Sequence, residues 1–344
     1  MARSLVVGLD NGGTANNATV LDTAAGDGAG VFLVDALVET PSRVLEGPEA
    51  AVDALVSSLE GVLARTGSSA GEVGAVGLDT PGPASADGVI SSQGATNFSA
   101  PAWHGFDIRG ALEKRLGLPV VYNNDGNAAA LYAHRMWFGP RSGEASSVAL
   151  VVGTGLGGGI VERGRVVKGA SGVAGELGHV HIPMDGLLQD GQPVPGCNCG
   201  FAGDAESVAS LTGITRNLLP YWLTRFPDHE LASLPVADAA RAVRGLGERG
   251  DAMARAIFGQ QAKALGRLFT IVARVLDPEA YFVGGGVVEA GASFRDWFMA
   301  EVRANTDLYP DQSGNVTFGL VPDLDMAGAR GAALAAAEEA GLLG

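Results

Sequence analysis

Two glycine-rich turns constrain the fold of this chain more than any other feature. The first turn, Asp10-Asn11-Gly12-Gly13-Thr14, separates the short apolar runs 6–9 and 18–21. The second turn, 153–159, follows the apolar run 148–152. Each pattern is typical of two strands with a glycine connection, because glycine adopts backbone conformations that other residues avoid. The chain therefore contains two predicted strand pairs that are each linked by a glycine-rich turn.

Helical patterns lie between and after these strands. They cover residues 50–65, 108–116 after an expected Asp107 N-cap, 128–136, 252–276 and 329–343, and a further strand at 280–283 precedes three glycines. Alternation of strands and helices is typical of α/β proteins. A chain of 344 residues is longer than one hydrophobic core usually serves. We predict two α/β domains, with the first built on residues 1–122.

The charge balance excludes several classes of partner. The chain has 23 Lys and Arg against 38 Asp and Glu, a formal net charge of −15. Such a chain is poorly suited to bind a nucleic-acid backbone or an anionic membrane. No apolar run approaches the roughly 18 residues of a membrane-spanning helix, and the run 5–9 is too short for a secretion signal. We expect a cytoplasmic protein with no nucleic-acid or membrane partner.

The two turns are candidate phosphate-binding sites. Consecutive backbone N–H groups without side chains bind the oxygens of a polyphosphate, and a nearby carboxylate such as Asp10 is the expected direct or water-mediated partner of Mg²⁺. The alternative is that each is an ordinary tight turn and Asp10 an ordinary turn residue. The candidate nucleotide-binding residues are Asp10, Gly12, Gly13, Thr14, Gly153, Thr154 and Gly155.

The chain contains only two cysteines, Cys197 and Cys199, separated by one residue. This spacing suits a metal site in a reducing compartment better than a disulfide framework. Both lie at the end of the glycine- and proline-rich stretch 186–200, which predicts a long loop. Loops of this length are commonly functional.

The stretch GTGLGGGIVERGRVVKGASGVAGELGH, residues 153–179, resembles the signature of the ROK sugar kinases over its whole length. Further matching segments are TPGP at Thr80, NNDGNAAA at Asn123, CNCGFAGDAE at Cys197, GGGV at Gly284 and AGARGAA at Ala327. The resemblance implies a two-domain actin-like ATPase (ribonuclease H-like) fold with the active site in the interdomain cleft. It also implies a large domain over 123–328 and a final helix, 329–344, that packs back on the small domain.

The resemblance implies an ATP-dependent hexose kinase that uses Mg²⁺. Asp125 matches the general base that accepts a proton from the sugar hydroxyl; its alternative role is the N-cap of the helix starting near Gly126. The residues that the resemblance places around the sugar are Asn97, Asn124, Asp125, Glu176, His179 and Glu206. The turn Gly284, Gly285 and Gly286 matches the adenosine side; its alternative is tight helix–strand packing. For Glu206 the alternative is a surface carboxylate in the first turn of a helix.

Two positions depart from the family pattern. The family's zinc site uses a histidine and three cysteines, and Asp204 stands in place of the last cysteine. Because aspartate is a permissible zinc ligand, we predict a structural Zn²⁺ site formed by His179, Cys197, Cys199 and Asp204. The alternative is two thiols with no metal. At the first turn, Ala15 follows the threonine where many members carry lysine.

Glucose is the leading substrate because glucokinases are frequent in this family, while mannose, fructose, allose and N-acetylated sugars stay open. Polyphosphate stays open as the phosphate donor. One alternative function is a sugar-sensing transcriptional repressor, although the turn at Asp10 leaves no room for a preceding DNA-binding region. Another is a catalytically inactive sugar-binding protein. The resemblance also implies a homodimer or higher homo-oligomer.

Overall fold

The computed structural model describes residues 4–26, 29–34, 37–82, 84–90, 98 and 100–343. Asn97, one of the expected sugar-binding residues, lies outside them. The chain divides into two compact units. The first comprises Met1–Ala145, Gly159–Gly175 and Val321–Gly344, and the second comprises Ser146–Gly158 and Glu176–Leu320.

Eleven strands and ten α-helical segments are assigned in the described residues. The strands are β1 Leu5–Asn11, β2 Ala15–Asp22, β3 Val31–Phe32, β4 Glu39–Pro41, β5 Val73–Thr80, β6 Val120–Asn124, β7 Ser146–Val152, β8 Leu156–Glu162, β9 Arg165–Val166, β10 Ala280–Gly284 and β11 Thr317–Leu320. The helices are α1 Pro48–Thr66, α2 Ile108–Leu116, α3 Asp125–Phe138, α4 Leu211–Gly213, α5 Leu219–Arg225, α6 Val236–Glu248, α7 Ala252–Val275, α8 Ala292–Ala304, α9 Pro310–Ser313 and α10 Leu324–Glu339. The predicted α/β class is confirmed.

The sheet of the first unit has the order β3-β2-β1-β5-β6, with β4 paired to β2. β1 is antiparallel to β2 and parallel to β5, which is parallel to β6. In this register Asp10 lies opposite Asp79, and Asp79 lies opposite Asn123. Residues paired across neighbouring strands point to the same face of a sheet. Three polar side chains therefore form a row where these parallel strands end.

Helix α10 packs unusually close to this sheet because two strand residues lack side chains. A Cβ on Gly8 would lie 1.9 Å from the carbonyl oxygen of Ala329 and is therefore excluded. A Cβ on Gly77 would lie 2.0 Å from the carbonyl oxygen of Ala332. The alanine-rich sequence predicted this buried helix, which begins at Leu324, five residues earlier than expected. On the opposite face, α1 and α2 cover an apolar core that includes Leu9, Leu78 and Tyr122.

The second sheet has the order β11-β10-β7-β8-β9. β10 is parallel to both β7 and β11 and is entirely buried. The long helix α7 belongs to the same unit and begins at its N-cap Asp251, which accepts a hydrogen bond from the backbone N–H of Ala254 at 2.8 Å. Among the described residues, no helix is both long enough and apolar enough to cross a membrane.

The structure reproduces the predicted helices and adds elements that the sequence did not reveal. The expected Asp107 N-cap is confirmed, because Asp107 Oδ1 accepts from the backbone N–H of Gly110 at 2.7 Å. Strands β5 and β6 and helices α6 and α8 were not predicted. Residues 123–145 and 159–175 belong to the first unit by their contacts. The sequence-based division at residue 122 assigned both segments to the large domain.

Candidate active site

A pair of carboxyl groups occupies the end of β1 and β5 in the first unit. Asp79 is fully buried, and burial together with the charges of Asp10 and Asp125 raises its pKa well above the usual range. Burial also raises the pKa of Asp10, while hydrogen bonds with Asp79 and Asn17 act in the opposite direction. Two carboxyl groups that are hydrogen-bonded to each other share a proton in preference to ionising together. Asp79 was missed from the sequence; its only signal is an acidic residue at the end of an apolar run.

Asp125 lies at the junction of β6 and α3. The N-cap of α3 is Asn124, whose Oδ1 accepts from the backbone N–H of Gly126 at 2.9 Å and of Asn127 at 3.4 Å. Asp125 is the first helical residue, and its Oδ1 accepts from the Gly126 N–H at 2.7 Å. The N-cap role considered for Asp125 is therefore filled by the neighbouring residue Asn124.

The first glycine-rich turn links β1 to β2. Gly12 and Gly13 are partly exposed and Thr14 is exposed. A Cβ on Gly12 would lie 2.6 Å from the carbonyl oxygen of Ala15, so the tightness of the turn itself requires glycine there. This contact agrees with the ordinary-turn alternative, and backbone exposure in the same turn is compatible with ligand binding.

The second turn, 153–155, is held in the second unit by hydrogen bonds from α4. Its carbonyl groups accept hydrogen bonds from the start of α4: Gly153 O from Leu211 N at 3.0 Å, and Thr154 O from the Thr212 hydroxyl at 2.8 Å. Gly153 and Thr154 are exposed and Gly155 is partly exposed. The backbone of the turn is thus held in place while its surface stays open.

In the three-glycine turn after β10, the central residue, Gly285, allows close packing. Gly285 has φ +100°, and a Cβ there would lie 2.1 Å from the carbonyl oxygen of Val152. This contact matches the packing alternative for Gly285. Gly284 is also buried, whereas Gly286 is partly exposed and its carbonyl accepts from Arg244 Nη1 at 2.7 Å. Arg244 was not singled out from the sequence.

The four predicted metal ligands are brought together in the second unit. Their ligand atoms, from His179, Cys197, Cys199 and Asp204, all lie within 4.8 Å of one another. His179 Nδ1 lies 3.2 Å from Asp204 Oδ2 and 3.7 Å from Cys197 Sγ, and Cys199 Sγ lies 3.5 Å from Asp204 Oδ2. Tetrahedral zinc, with bonds of about 2.0 Å to nitrogen or oxygen and 2.3 Å to sulfur, separates its ligands by similar distances. The donor set therefore fits Zn²⁺.

The charge state of this cluster also suits a cation. Burial alone would raise the pKa of Asp204, but hydrogen bonds from His179, from Cys197 and from the backbone N–H of Ser207 lower it to about 2. Asp204 is therefore ionised near neutral pH. Its hydrogen bond to His179 raises the pKa of that histidine. His181 stacks edge-on against Phe201 and is not part of the cluster.

Two expected sugar-binding carboxylates lie beside the cluster. Glu206 Oε2 accepts from the backbone N–H of Leu156 at 2.9 Å, and its Oε1 accepts from the Cys197 thiol at 3.6 Å. Burial raises the pKa of Glu176; the charge of His179 acts to lower it, and the smaller effect of the Glu206 charge acts to raise it. Glu206 is thus tied into the site instead of being a solvated surface carboxylate.

Two α/β units with glycine-rich hairpins, a carboxylate at a strand–helix junction and a Cys/His/Asp cluster define a kinase of the actin-like ATPase class. The family model described as the ROK family matches residues 6–339 of this chain, and the chain belongs to that family. It is 32% identical to a glucokinase of Streptomyces coelicolor, over 94% of this chain and 97% of the relative.

Solved structures agree with this assignment. The ROK hexokinase of Thermus thermophilus is similar with a TM-score of 0.72 and 32% identity, over 97% of this chain and 98% of that one. A ROK family glucokinase of Streptomyces griseus, in complex with glucose and AMPPNP, is similar with a TM-score of 0.69 and 26% identity, over 97% and 99% of the two chains. The predicted family and fold are confirmed.

Proposed function

We propose that this chain is an ATP-dependent hexose kinase whose leading substrate is glucose. The observation that carries the proposal is its similarity, over nearly the whole chain, to a glucokinase bound to glucose and AMPPNP. The chain keeps an acidic residue, Asp125, at the junction of β6 and α3. An ATP:sugar phosphotransferase requires a base, groups that hold phosphates and groups that recognise hydroxyls, and this chain has candidates for each.

Asp125 acts as the general base. A sugar hydroxyl gives its proton to the Asp125 carboxylate as its oxygen forms a bond to the γ-phosphorus, and the bond from that phosphorus to the ADP oxygen breaks. Asp125 is the first residue of α3, and Asn124 provides the N-cap of that helix. Positioning and charge neutralisation provide most of the remaining acceleration in phosphoryl transfer.

Backbone groups of the turns at 12–14 and 153–155 bind the phosphates, and the turn at 284–286 faces the adenosine. Asp10 is the residue that would hold Mg²⁺, and the buried, donor-poor carboxyl pair Asp10 and Asp79 fits a hard cation. When bound, Mg²⁺ supplies neutralisation of the phosphate charge. Carboxylates and amides bind sugar hydroxyls: Asn97, Asn124, Glu176, His179 and Glu206 are the proposed contacts.

The proposal includes a structural Zn²⁺ held by His179, Cys197, Cys199 and Asp204, whose ligand atoms fit tetrahedral coordination. When bound, the ion would orient the loop that carries the sugar contacts, because the side chains of His179 and Glu206 both contact Cys197 of that loop. It takes no part in the proton transfer.

The remaining elements of the proposal are a cytoplasmic location and a homodimeric or higher assembly. Two free thiols and ATP as the donor suit a reducing, nucleotide-rich compartment. Family resemblance alone supports the assembly, and chromatography with light scattering measures it.

A coupled ADP-release assay tests the proposed function. The panel contains glucose, mannose, fructose, allose and N-acetylglucosamine, each with ATP and with polyphosphate as donor. We expect the highest kcat/KM for glucose with ATP. No turnover with any sugar, together with glucose binding by calorimetry, would instead identify an inactive sugar-binding protein.

A further inference from the structure

Arg244 of α6 contacts the three-glycine turn that follows β10. Its Nη1 donates to the carbonyl oxygen of Gly286 at 2.7 Å, although the two residues are 42 positions apart in the chain. A Cβ built on Gly286 would lie 3.4 Å from the same Nη1. The guanidinium group of Arg244 therefore lies directly against this turn.

The turn that Arg244 contacts is next to the second phosphate-binding turn. β7 and β10 are parallel and pair Val151 with Gly284, so the turns that follow these strands lie at the same edge of the second sheet. In open α/β sheets this edge, at the carboxyl ends of the strands, is where ligands bind. A Cβ on Gly285 would lie 2.1 Å from the carbonyl oxygen of Val152, so the two backbones are in close contact. A ligand that contacts both turns therefore lies close to Arg244.

Helix α6 holds Arg244 on a well-packed element. Gly247, three residues after Arg244, lies so close to α8 that a Cβ there would be 2.9 Å from a ring carbon of Phe294. The carbonyl oxygen of Gly247 accepts from Arg255 Nε at 2.7 Å, and the Arg255 guanidinium lies 4.3 Å from the ring centre of Trp297. A binding residue on such a helix is positioned before the ligand arrives, which reduces the entropy lost on binding.

The guanidinium group of Arg244 has donors left for a further partner. Besides Gly286, its described partner is Glu248, one turn along α6, whose Oε1 lies 3.7 Å from Nε. In the described part of the chain Nη2 forms no hydrogen bond, and the side chain is 46% exposed. A guanidinium is planar, stacks on aromatic rings and donates several hydrogen bonds. Adenine offers both a flat ring and nitrogen acceptors, so the two groups are complementary.

We propose that Arg244 binds the adenine base of ATP, with Nη1 holding the carbonyl of Gly286 and the guanidinium plane lying against the base. The inference rests on the proposed function, because it takes the turn at 284–286 as the adenosine side, and it adds a base-binding residue to that site. Polyphosphate has no base, so this contact also favours ATP over polyphosphate as the phosphate donor.

Calorimetric titration of the full chain with ADP tests the proposal. We expect ADP binding to be weaker by about tenfold or more in Arg244→Ala, the scale of a lost base-stacking contact, while glucose affinity stays unchanged. Arg244→Lys keeps a positive charge and an N–H donor for the carbonyl of Gly286 but has no guanidinium plane, so most of the loss should remain. Arg241→Ala is the matched control, because Arg241 is an exposed arginine one turn earlier on α6 that pairs with Asp238. Its ADP affinity should equal that of the wild type.

The outcomes separate this inference from the proposed function. Unchanged ADP affinity in Arg244→Ala, in protein that phosphorylates hexose with ATP, would overturn the inference alone. Wild-type ADP affinity in Arg244→Lys would overturn the contact with the base and leave Arg244 only the role of holding the turn. Wild-type protein that phosphorylates hexose with polyphosphate and binds no ADP would also overturn the base contact. Wild-type protein that binds ADP but phosphorylates no hexose would overturn the proposed function alone.

Discussion

Glu206 connects the end of the second glycine-rich turn to the loop that contains Cys197. Its Oε2 accepts from the backbone N–H of Leu156, the residue after the turn, at 2.9 Å, and its Oε1 accepts from Cys197 Sγ at 3.6 Å. A Cβ on Gly155 would lie 2.7 Å from the same Oε2, so a side chain at this position would displace the carboxylate. One side chain therefore joins the proposed phosphate-binding turn to the proposed sugar-binding loop.

Replacing Glu206 should affect both substrates. In Glu206→Ala the backbone N–H of Leu156 loses its acceptor, which costs about 1–3 kcal/mol when such a group is buried. We expect higher KM values for ATP and for glucose together, whereas Glu206→Gln keeps an acceptor oxygen and changes the ATP KM much less. Steady-state kinetics with each substrate varied in turn measures this. A change confined to the glucose KM would contradict the link to the turn.

Asp125→Asn should abolish most turnover and leave binding nearly intact. The amide keeps the shape and some hydrogen bonding of the carboxylate but does not accept the proton, so kcat should fall about 10²- to 10⁴-fold. Dissociation constants for glucose and ATP, measured by calorimetry, should stay within a few fold. Asp53→Asn, an exposed acidic position on α1 of the same unit, serves as the control. A near-normal kcat in Asp125→Asn would contradict the assignment of Asp125 as the general base.

The zinc proposal makes a prediction for the position where the family pattern is broken. Asp204→Cys restores a third thiolate and should raise zinc affinity, because zinc binds thiolates strongly. Cys197→Ala should lower zinc content and raise the glucose KM more than the ATP KM. Elemental analysis of protein purified without chelator, combined with kinetics, checks both. Well under one zinc per wild-type chain with intact hexose phosphorylation would refute the site.

The start of α7 should respond to pH through Asp251. Burial acts to raise the pKa of this residue, but hydrogen bonds from Ala254 N and from His229 outweigh it and lower the pKa. A carboxyl group whose pKa is lower in the folded state stabilises the fold above its unfolded pKa of about 3.9, and this contribution is lost as pH falls through the folded pKa.

Asp251→Ala should therefore reduce the free energy of unfolding by about 0.5–2 kcal/mol at pH 7, as expected for a lost N-cap, and by less at pH 3. Urea unfolding at the two pH values measures the difference. Asp238→Ala, which removes an exposed partner of Arg241, is the control and should change stability by less than about 0.5 kcal/mol. Equal destabilisation by Asp251→Ala at both pH values would assign the effect to packing instead of charge.

The sequence by itself determined the class of fold, the glycine-rich turns and most helices, because these features are local. Apolar periodicity revealed α1 and α7, and a capping aspartate marked the start of α2. The close spacing of Cys197 and Cys199, together with the family resemblance, also predicted which four side chains would converge. Strands β5 and β6 were not predicted, although the turn signal Pro81-Gly82 directly follows β5.

Only the tertiary structure decided which distant residues face one another. Gly8 and Gly77 are explained by α10, some 250 to 320 residues further along the chain, whose backbone approaches them too closely for a side chain. The position of Asp79 opposite Asp10 follows from the strand register, and a side chain at Gly328 of α10 would crowd both carboxyl groups. Periodicity states which face of an element is buried. It does not state what covers that face, because the pairing depends on contacts between residues that the sequence keeps far apart.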